Sequence, residues 1–150
     1  VLLVGGSGAQ LSDVQAAERS GAPVRALGRL DGPEKALALR SADVLALPSS
    51  IGLVAVDSLV SRVPIVTRDN STHGPEADYL EDGVTSIRLG SEAGASGYAH
   101  ALVNLLEDPT RLATMRKACA GEATKYSLDR MVDAFVEGVL AWQNVVRAGL

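Results

Sequence analysis

Asp57 stands inside an otherwise apolar segment, Gly52 to Val60, that opens just after a strand-like run and a pair of serines. A carboxylate in such surroundings is costly unless it is paired or faces a cleft. In a cleft it could hold the two adjacent hydroxyls of a ribose; from pattern alone, a paired structural carboxylate reads as readily. The whole stretch, Asp43 to Asn70, reads as a buried strand, a short polar loop, a helix and a second buried strand. Asp43 to Leu47 is an apolar run stopped by Pro48. Ser49 and Ser50 are placed to cap the helix by accepting hydrogen bonds from its first N–H groups. Gly52 lets another molecule approach the backbone closely. Leu53, Val54, Val56, Leu59 and Val60 supply an apolar face, and Pro64 ends the helix before Ile65 to Thr67. A helix N-terminus at the carboxyl end of a strand is where α/β sheets bind anions. The chemistry expected of Ser49 to Val54 is therefore the holding of a phosphate or diphosphate on main-chain N–H groups, a role that needs no particular side chain. A helix that is merely well capped would carry the same residues.

Gly5-Gly6-Ser7-Gly8 follows one strand pattern and precedes a helix. Such a loop can bring backbone N–H groups against a phosphate or a base. Its third glycine and following acidic residue do not complete a dinucleotide fingerprint, so a tight strand-to-helix turn is the alternative reading. His73 and Glu76 flank Gly74-Pro75 at a later helix opening. Glu76 suits the positive end of that helix, and His73 reads as a solvated loop residue. His100 lies well downstream in a helical pattern, so no metal-ligand spacing is present, nor is a Gly-x-Ser-x-Gly nucleophile turn. Cys119 keeps helical register with Leu112 and Met115 and reads as a buried, inert thiol.

The elements that must position these residues alternate. Residues 1–4 read as a short buried strand, Asp13 to Ser20 as a helix ended by Gly21-Ala22-Pro23, Val24 to Leu27 as a strand, and Pro33 to Ser41 as a helix with proline near its first position. After the central stretch come a polar loop from Arg68 to Gly74, a short helix from Pro75 to about Asp82-Gly83, and a strand from Thr85 to Leu89. The alternation predicts an α/β fold, a Rossmann-like doubly wound parallel sheet covered by helices. Beyond Gly90 the pattern is helical throughout. Tyr98, Ala101, Leu102, Leu105 and Leu106 form one stripe, and Leu112, Met115 and Cys119 a second. A third stripe, Leu128, Met131, Val132, Phe135, Val139, Trp142 and Val146, runs along a last helix capped by Ser127 and reads as core contact.

A length of 150 residues suits one domain with a real core, and 47% hydrophobic with 21% charged residues is a globular composition. The net charge of -4 with no basic cluster argues against nucleic acid or an anionic membrane as the main partner. No apolar run approaches the ~20 residues of a membrane span. One cysteine, which cannot form an internal disulfide, fits a reducing cytoplasm. Val1 opens directly inside a strand pattern without a preceding Met, so a segment upstream of Val1 is expected.

LLVGGSG, VRALG, SADVLALPSS, GLVAVDSLVSRVPIV and HGPEADYLEDGVTSIRL follow one another as in the C-terminal lobe of retaining glycosyltransferases with the GT-B fold, the large family-four group. The block from Ala42 to Pro64 is the most specific part, and the closing EDPTRLATMRKACAGEATKYSLDRMVDAF is similar to that group's last helices. The resemblance covers nearly the whole chain and implies that residues 1–150 are a donor-binding lobe. Its donor would be a nucleotide-diphospho-sugar, bound without metal or other cofactor. A strand that this fold places mid-sheet would precede Val1. The first strand here is then expected to border a gap or to pair with the wrong neighbour, and the N-terminal lobe that carries the acceptor site is expected to be missing. Family members have two glutamates with seven residues between them across this block; the positions fall here on Ser49 and Asp57. The resemblance implies that Asp57 keeps the ribose contact in a shorter form, and that Ser49 replaces the glutamate that supports donor-sugar recognition and catalysis. It also implies that the N–H groups of Gly52, Leu53 and Val54 hold the diphosphate, with Ser49 and Ser50 beside them. Gly5, Gly6 and Gly8 would face the nucleotide, and Leu27 to Leu30 would lie near its base. GRLDGPEK, Gly28 to Lys35, looks like the group's phosphate-neutralising Arg and Lys segment but stands too close to ADVLALPSS to be it. A sugar-nucleotide epimerase on the same scaffold, and a degenerate module that binds without catalysis, remain alternatives. A receiver-like signalling domain is disfavoured, because no acidic cluster follows the first strand.

Overall fold

The computed structural model describes residues 1–69 and 72–147. Asn70 and Ser71, the middle of the polar loop expected from Arg68 to Gly74, lie outside the described residues. The chain divides into two units, Val1–Ala42 and Asp43–Leu150.

The first unit holds β1 (Leu2–Gly5), α1 (Leu11–Arg19), β2 (Val24–Gly28) and α2 (Gly32–Ser41). β1 and β2 pair in parallel, Leu2 opposite Val24, with a one-residue shift that brings Gly5 opposite Gly28. Each strand runs into a glycine-rich exit, as the sequence predicts. Gly6 has φ +148°, and its N–H donates to Gly28 O at 2.7 Å. A Cβ on Gly5 would come within 2.9 Å of the Leu30 side chain. On the far side of β2, the Glu18 carboxylate accepts from the Ala26 N–H at 3.1 Å and from Arg25 at 3.0 Å. The bond from Ala26, then the one from Arg25, hold the Glu18 carboxyl below its usual range, and one donor of this edge strand is satisfied without another strand. The expectation of a buried first strand is corrected here. Leu2 is 53% exposed and Leu3 39%, and Val24 is the one buried residue of this unit. A two-stranded sheet has too little area to cover both of its faces.

The second unit is built on a parallel three-stranded sheet, β3 (Leu45–Ala46), β4 (Ile65–Arg68) and β5 (Ser86–Leu89), with β4 in the middle. Leu45 faces Ile65, and Ile65 faces Ser86. The parallel strands follow the α/β reading, with a β1–β2 sheet in the first unit and a β3–β4–β5 sheet in the second. Among the described residues β1 pairs with β2, the strand that follows it in sequence.

Ile65, Val66 and Thr67 are fully buried, and alternate residues of the strand enter different cores. Ile65 joins Ile51, Ala55, Leu59, Ala77, Leu80 and Cys119; Val66 joins Leu105 and Met115. The helices that supply them are α3 (Val54–Ser61), α4 (Ala95–Leu106) and α5 (Pro109–Ala123). α3 ends on Arg62, whose left-handed φ of 61° lets the Val63 N–H return to Ser58 O at 3.0 Å before Pro64. Asp108, expected to break the helical run, caps α5 by accepting from the Arg111 N–H at 2.9 Å. Two 3-10 turns, Pro75–Tyr79 and Thr124–Tyr126, meet through stacked rings of Tyr79 and Tyr126, 4.3 Å between centroids.

Ser127 caps α6 (Leu128–Arg147) as expected, accepting from the Arg130 N–H at 3.3 Å. Its apolar stripe is not core, however. No described residue of α6 is buried, and Phe135 and Trp142 are 72% and 67% exposed. Periodicity reports which side of a helix is apolar and says nothing of what covers it.

Leu59→Ala removes a fully buried side chain and should lower stability by about 2–5 kcal/mol, whereas Trp142→Ala should stay within about 0.5 kcal/mol; urea unfolding midpoints followed by circular dichroism compare them. Burial raises the Cys119 thiol to about 11 and the Tyr98 hydroxyl to about 12. Both groups then favour the folded state below their ordinary values, and that contribution is lost as pH rises. Thermal midpoints should fall progressively above pH 9, and Cys119 should react with a thiol reagent at pH 8 only after denaturation.

Candidate functional site

α3 opens later than its sequence suggests. Its first residue is Val54, its N-cap is Leu53, and no side chain caps it. Ser49 and Ser50 therefore do not cap the helix. They stand too far ahead of its first turn for their short side chains to reach it. Ser50 instead shares a 2.7 Å hydrogen bond with the Thr72 hydroxyl, and Ser49 is exposed on the loop.

Between the serines and the helix the backbone uses its carbonyls but not all of its N–H groups. Gly52 O accepts from the Ala55 N–H at 2.9 Å, and Leu53 O accepts from the N–H groups of Val56 and Asp57 at 3.0 and 3.3 Å. Among the described residues, no acceptor is paired with the N–H groups of Gly52, Leu53 or Val54. These are the donors that a helix start leaves free. A Cβ built on Gly52 meets nothing within 4 Å, so the space over the backbone is open. Asp57 follows in the first turn of α3, half-buried. Gly52, Leu53, Val54 and Asp57 thus lie at one helix start, preceded by exposed Ser49 and Ser50. Gly5, Gly6 and Gly8 belong to the first unit; Gly6 and Gly8 also have open space where a Cβ would go.

The residue ahead of the open stretch is anchored. Ile51 is 1% exposed in the core. Its N–H donates to His73 Nδ1 at 3.0 Å, and its carbonyl accepts from the Gly74 N–H at 2.7 Å. The other ring nitrogen of His73, Nε2, donates to Arg68 O at 2.8 Å, which defines the neutral tautomer with its proton on Nε2. His73 is thus a tie between two loops and not the solvated residue its sequence position suggests. Arg68 reaches back from the end of β4 to Pro48 O at 3.4 Å and to Ala93 O at 3.0 Å. Apart from the His73–Arg68 bond, five positions long, these pairings join residues 20 or more positions apart, and the sequence carries no local signal for them.

A cleft of about 710 Å³ lies beyond the carboxyl ends of β4 and β5, lined by Asp69, His73, Pro75, Asp78, Arg88 and Ser91 among others. The Arg88 guanidinium donates through one nitrogen, Nη2, to the carbonyls of Ala77 and Leu80 at 3.1 and 3.4 Å, and its Nε is buried without a described partner. Among the described residues, no cluster of three or more His, Cys, Asp or Glu side chains is placed to hold a metal ion. No described helix is long and apolar enough to cross a membrane.

Residues 1–108 match the family described as glycosyl transferases group 1. Over 100 residues, 65% of this chain, the sequence is 31% identical to a D-inositol 3-phosphate glycosyltransferase of Gordonia bronchialis, and the match covers 21% of that protein. Three solved structures share the fold. The Anabaena protein Alr3699/HepE in complex with UDP has a TM-score of 0.66 at 19% identity, covering 93% of this chain and 40% of that one. The same protein with UDP and glucose gives 0.68 at 20%, with the same coverage. A GtfA/B complex gives 0.71 at 14%, covering 91% and 28%. This chain therefore spans between about a fifth and two fifths of the length of these relatives.

Arg88→Met keeps the aliphatic stem of the side chain and removes the guanidinium donor from the carbonyls of Ala77 and Leu80, of which Ala77 O keeps its bond from the Leu80 N–H. The variant should lose about 1–3 kcal/mol of stability, read as a shift in urea midpoint.

Proposed function

The chain belongs to the group 1 glycosyl transferases, and from that membership we propose that it is the donor-binding lobe of an enzyme that moves a sugar from a nucleotide-diphospho-sugar to an acceptor hydroxyl with retention. The observation that carries this reading is the start of α3: three consecutive N–H groups, of Gly52, Leu53 and Val54, have no acceptor among the described residues, and a Cβ on Gly52 would meet nothing within 4 Å. Donors so placed, at the positive end of a helix, suit a diphosphate. In this reading Asp57, one turn further on, holds the ribose hydroxyls.

The chemistry asked of such a lobe is positioning, together with charge stabilisation on the departing diphosphate. Both are properties of fixed N–H groups, so no step is assigned to a side-chain nucleophile or to a metal. The acceptor site belongs to a further lobe, in line with relatives about two to three times as long. The chain alone is expected to bind donor and not to transfer sugar. The cytoplasm is the proposed location, where Cys119 stays a thiol.

UDP is the first probe, because UDP is named in two of the solved complexes of similar fold. Titration calorimetry should give a dissociation constant that is roughly millimolar. Gly52→Val places a side chain in open space without crowding the fold, so it should unfold like the parent chain and lose UDP binding more than tenfold. Asp57→Asn should weaken UDP about tenfold and leave inorganic diphosphate unaffected. No heat with UDP, GDP or ADP at millimolar concentration would count against the proposal.

Ser49 favours a second reading. It stands, exposed, where the resembled group carries a glutamate, so the lobe could bind a donor without supporting transfer. In a full-length parent, Ser49→Glu should raise donor turnover if the site is catalytic, and change nothing if the lobe only binds.

A further inference from the structure

The imidazole of His73 is more tightly engaged than a loop residue needs to be. Both ring nitrogens are used, one by the backbone on each side of it: Nδ1 accepts from the Ile51 N–H at 3.0 Å, and Nε2 donates to Arg68 O at 2.8 Å. Two further bonds join the same two segments, the Gly74 N–H to Ile51 O at 2.7 Å and the Ser50 hydroxyl to that of Thr72 at 2.7 Å. Ile51 is thereby held on both of its peptide groups, and its side chain is locked in the core at 1% exposure. The next residue is Gly52, where the free N–H groups begin.

We propose that His73 is a positioning residue for the diphosphate cradle: by clamping the Ile51 backbone to the end of β4 it holds the N–H groups of Gly52, Leu53 and Val54 in the orientation that receives the anion. This rests on the diphosphate reading above. The physical reason is entropic. Glycine gives the chain its greatest conformational freedom, so a cradle beginning at Gly52 is only as rigid as the residue ahead of it. Fixed donors bind an anion without first being ordered, and that ordering cost otherwise subtracts from affinity.

The clamp works only with a neutral ring. A proton on Nδ1 removes the acceptor of the Ile51 bond and sets two N–H groups against each other.

The test uses the whole chain as wild type, His73→Asn and His73→Leu, each checked for folding by circular dichroism. In His73→Asn the amide oxygen takes the place of Nδ1 and keeps an acceptor that does not titrate. Two quantities are read at pH 8 and pH 5.5: hydrogen exchange of the Ile51 amide by NMR, and the UDP dissociation constant. In the wild type, Ile51 protection and UDP affinity should both fall at least tenfold more on acidification than in His73→Asn; the comparison cancels the nucleotide's own titration. His73→Leu should lose both at pH 8, while His73→Asn stays within about threefold of wild type. A leucine variant with unchanged Ile51 protection and UDP affinity overturns the positioning role, and so does an asparagine variant with the wild-type pH profile. A wild-type chain that shows the protected, acid-sensitive Ile51 amide but binds no UDP overturns the diphosphate reading instead.

Discussion

The burial of β4 on both faces governs the second unit. Ile65, Val66 and Thr67 have no exposed surface, and a strand in that position must place apolar side chains on alternate sides. Ile65 therefore selects α3 and its neighbours as one core, and Val66 selects α4 as the other; α5 reaches both through Cys119 and Met115. Tyr98 tightens the second side with a 2.6 Å hydrogen bond from its hydroxyl to Val66 O. With both faces occupied, the strand leaves only its carboxyl end free for chemistry. That end delivers Arg68 and Asp69 toward the loops that also carry Pro48, Ile51 and His73.

Legibility followed the range of the interactions. Residues 65–67 read as a buried strand because three consecutive apolar or β-branched residues after a proline have few other uses, and the structure agrees. Cys119 and Met115 read as core because helical spacing repeats over one turn, and that too agrees. Ser127 was legible as a helix start because a cap is a contact three residues long, whereas Asp108 read as a break and proved to be the cap of the next helix. The serines before α3 carried the same local signal and misled. Gly52 and Leu53 extend the loop, and Ser50 finds Thr72, 22 positions away, in place of the helix. Burial was misjudged for β1 and α6 because an apolar pattern names a face without naming its cover. Leu2 and Trp142 are apolar and exposed.

The candidate site divides in the same way. Gly52 and Asp57 were legible as types, one lacking a side chain and one charged in an apolar run. What holds them was not. His73 has no partner within four residues on the amide side, since its bond to Ile51 spans 22 positions. A single sequence gives such a residue no periodicity and no capping motif. Glycine next to it reads as loop. Yet a Cβ on Gly74 would meet the Glu76 carboxylate and come within 3.2 Å of Ile51 O, so the two loops would have to give way slightly. The glycine that looks like slack is the one that lets the two loops touch without that shift.

Magnitudes decide how much of a nucleotide's affinity this helix start can supply. Hydrogen bonds to a charged group contribute about 1.5–3 kcal/mol each, and the helix dipole adds about 0.3–1 kcal/mol. Association costs roughly 4 kcal/mol or more, and ordering a glycine-led loop would add to that. Three donors and a dipole therefore reach the millimolar range, near -4 kcal/mol, only if the loop is already ordered. The overall charge of -4 works against an anionic ligand at long range, so the attraction must be local and the donors fixed before the ligand arrives. In the proposed diphosphate reading, rigidity at Ile51 is thus a condition of binding and not a refinement of it. The bonds to His73 and Gly74 are the described contacts that provide it.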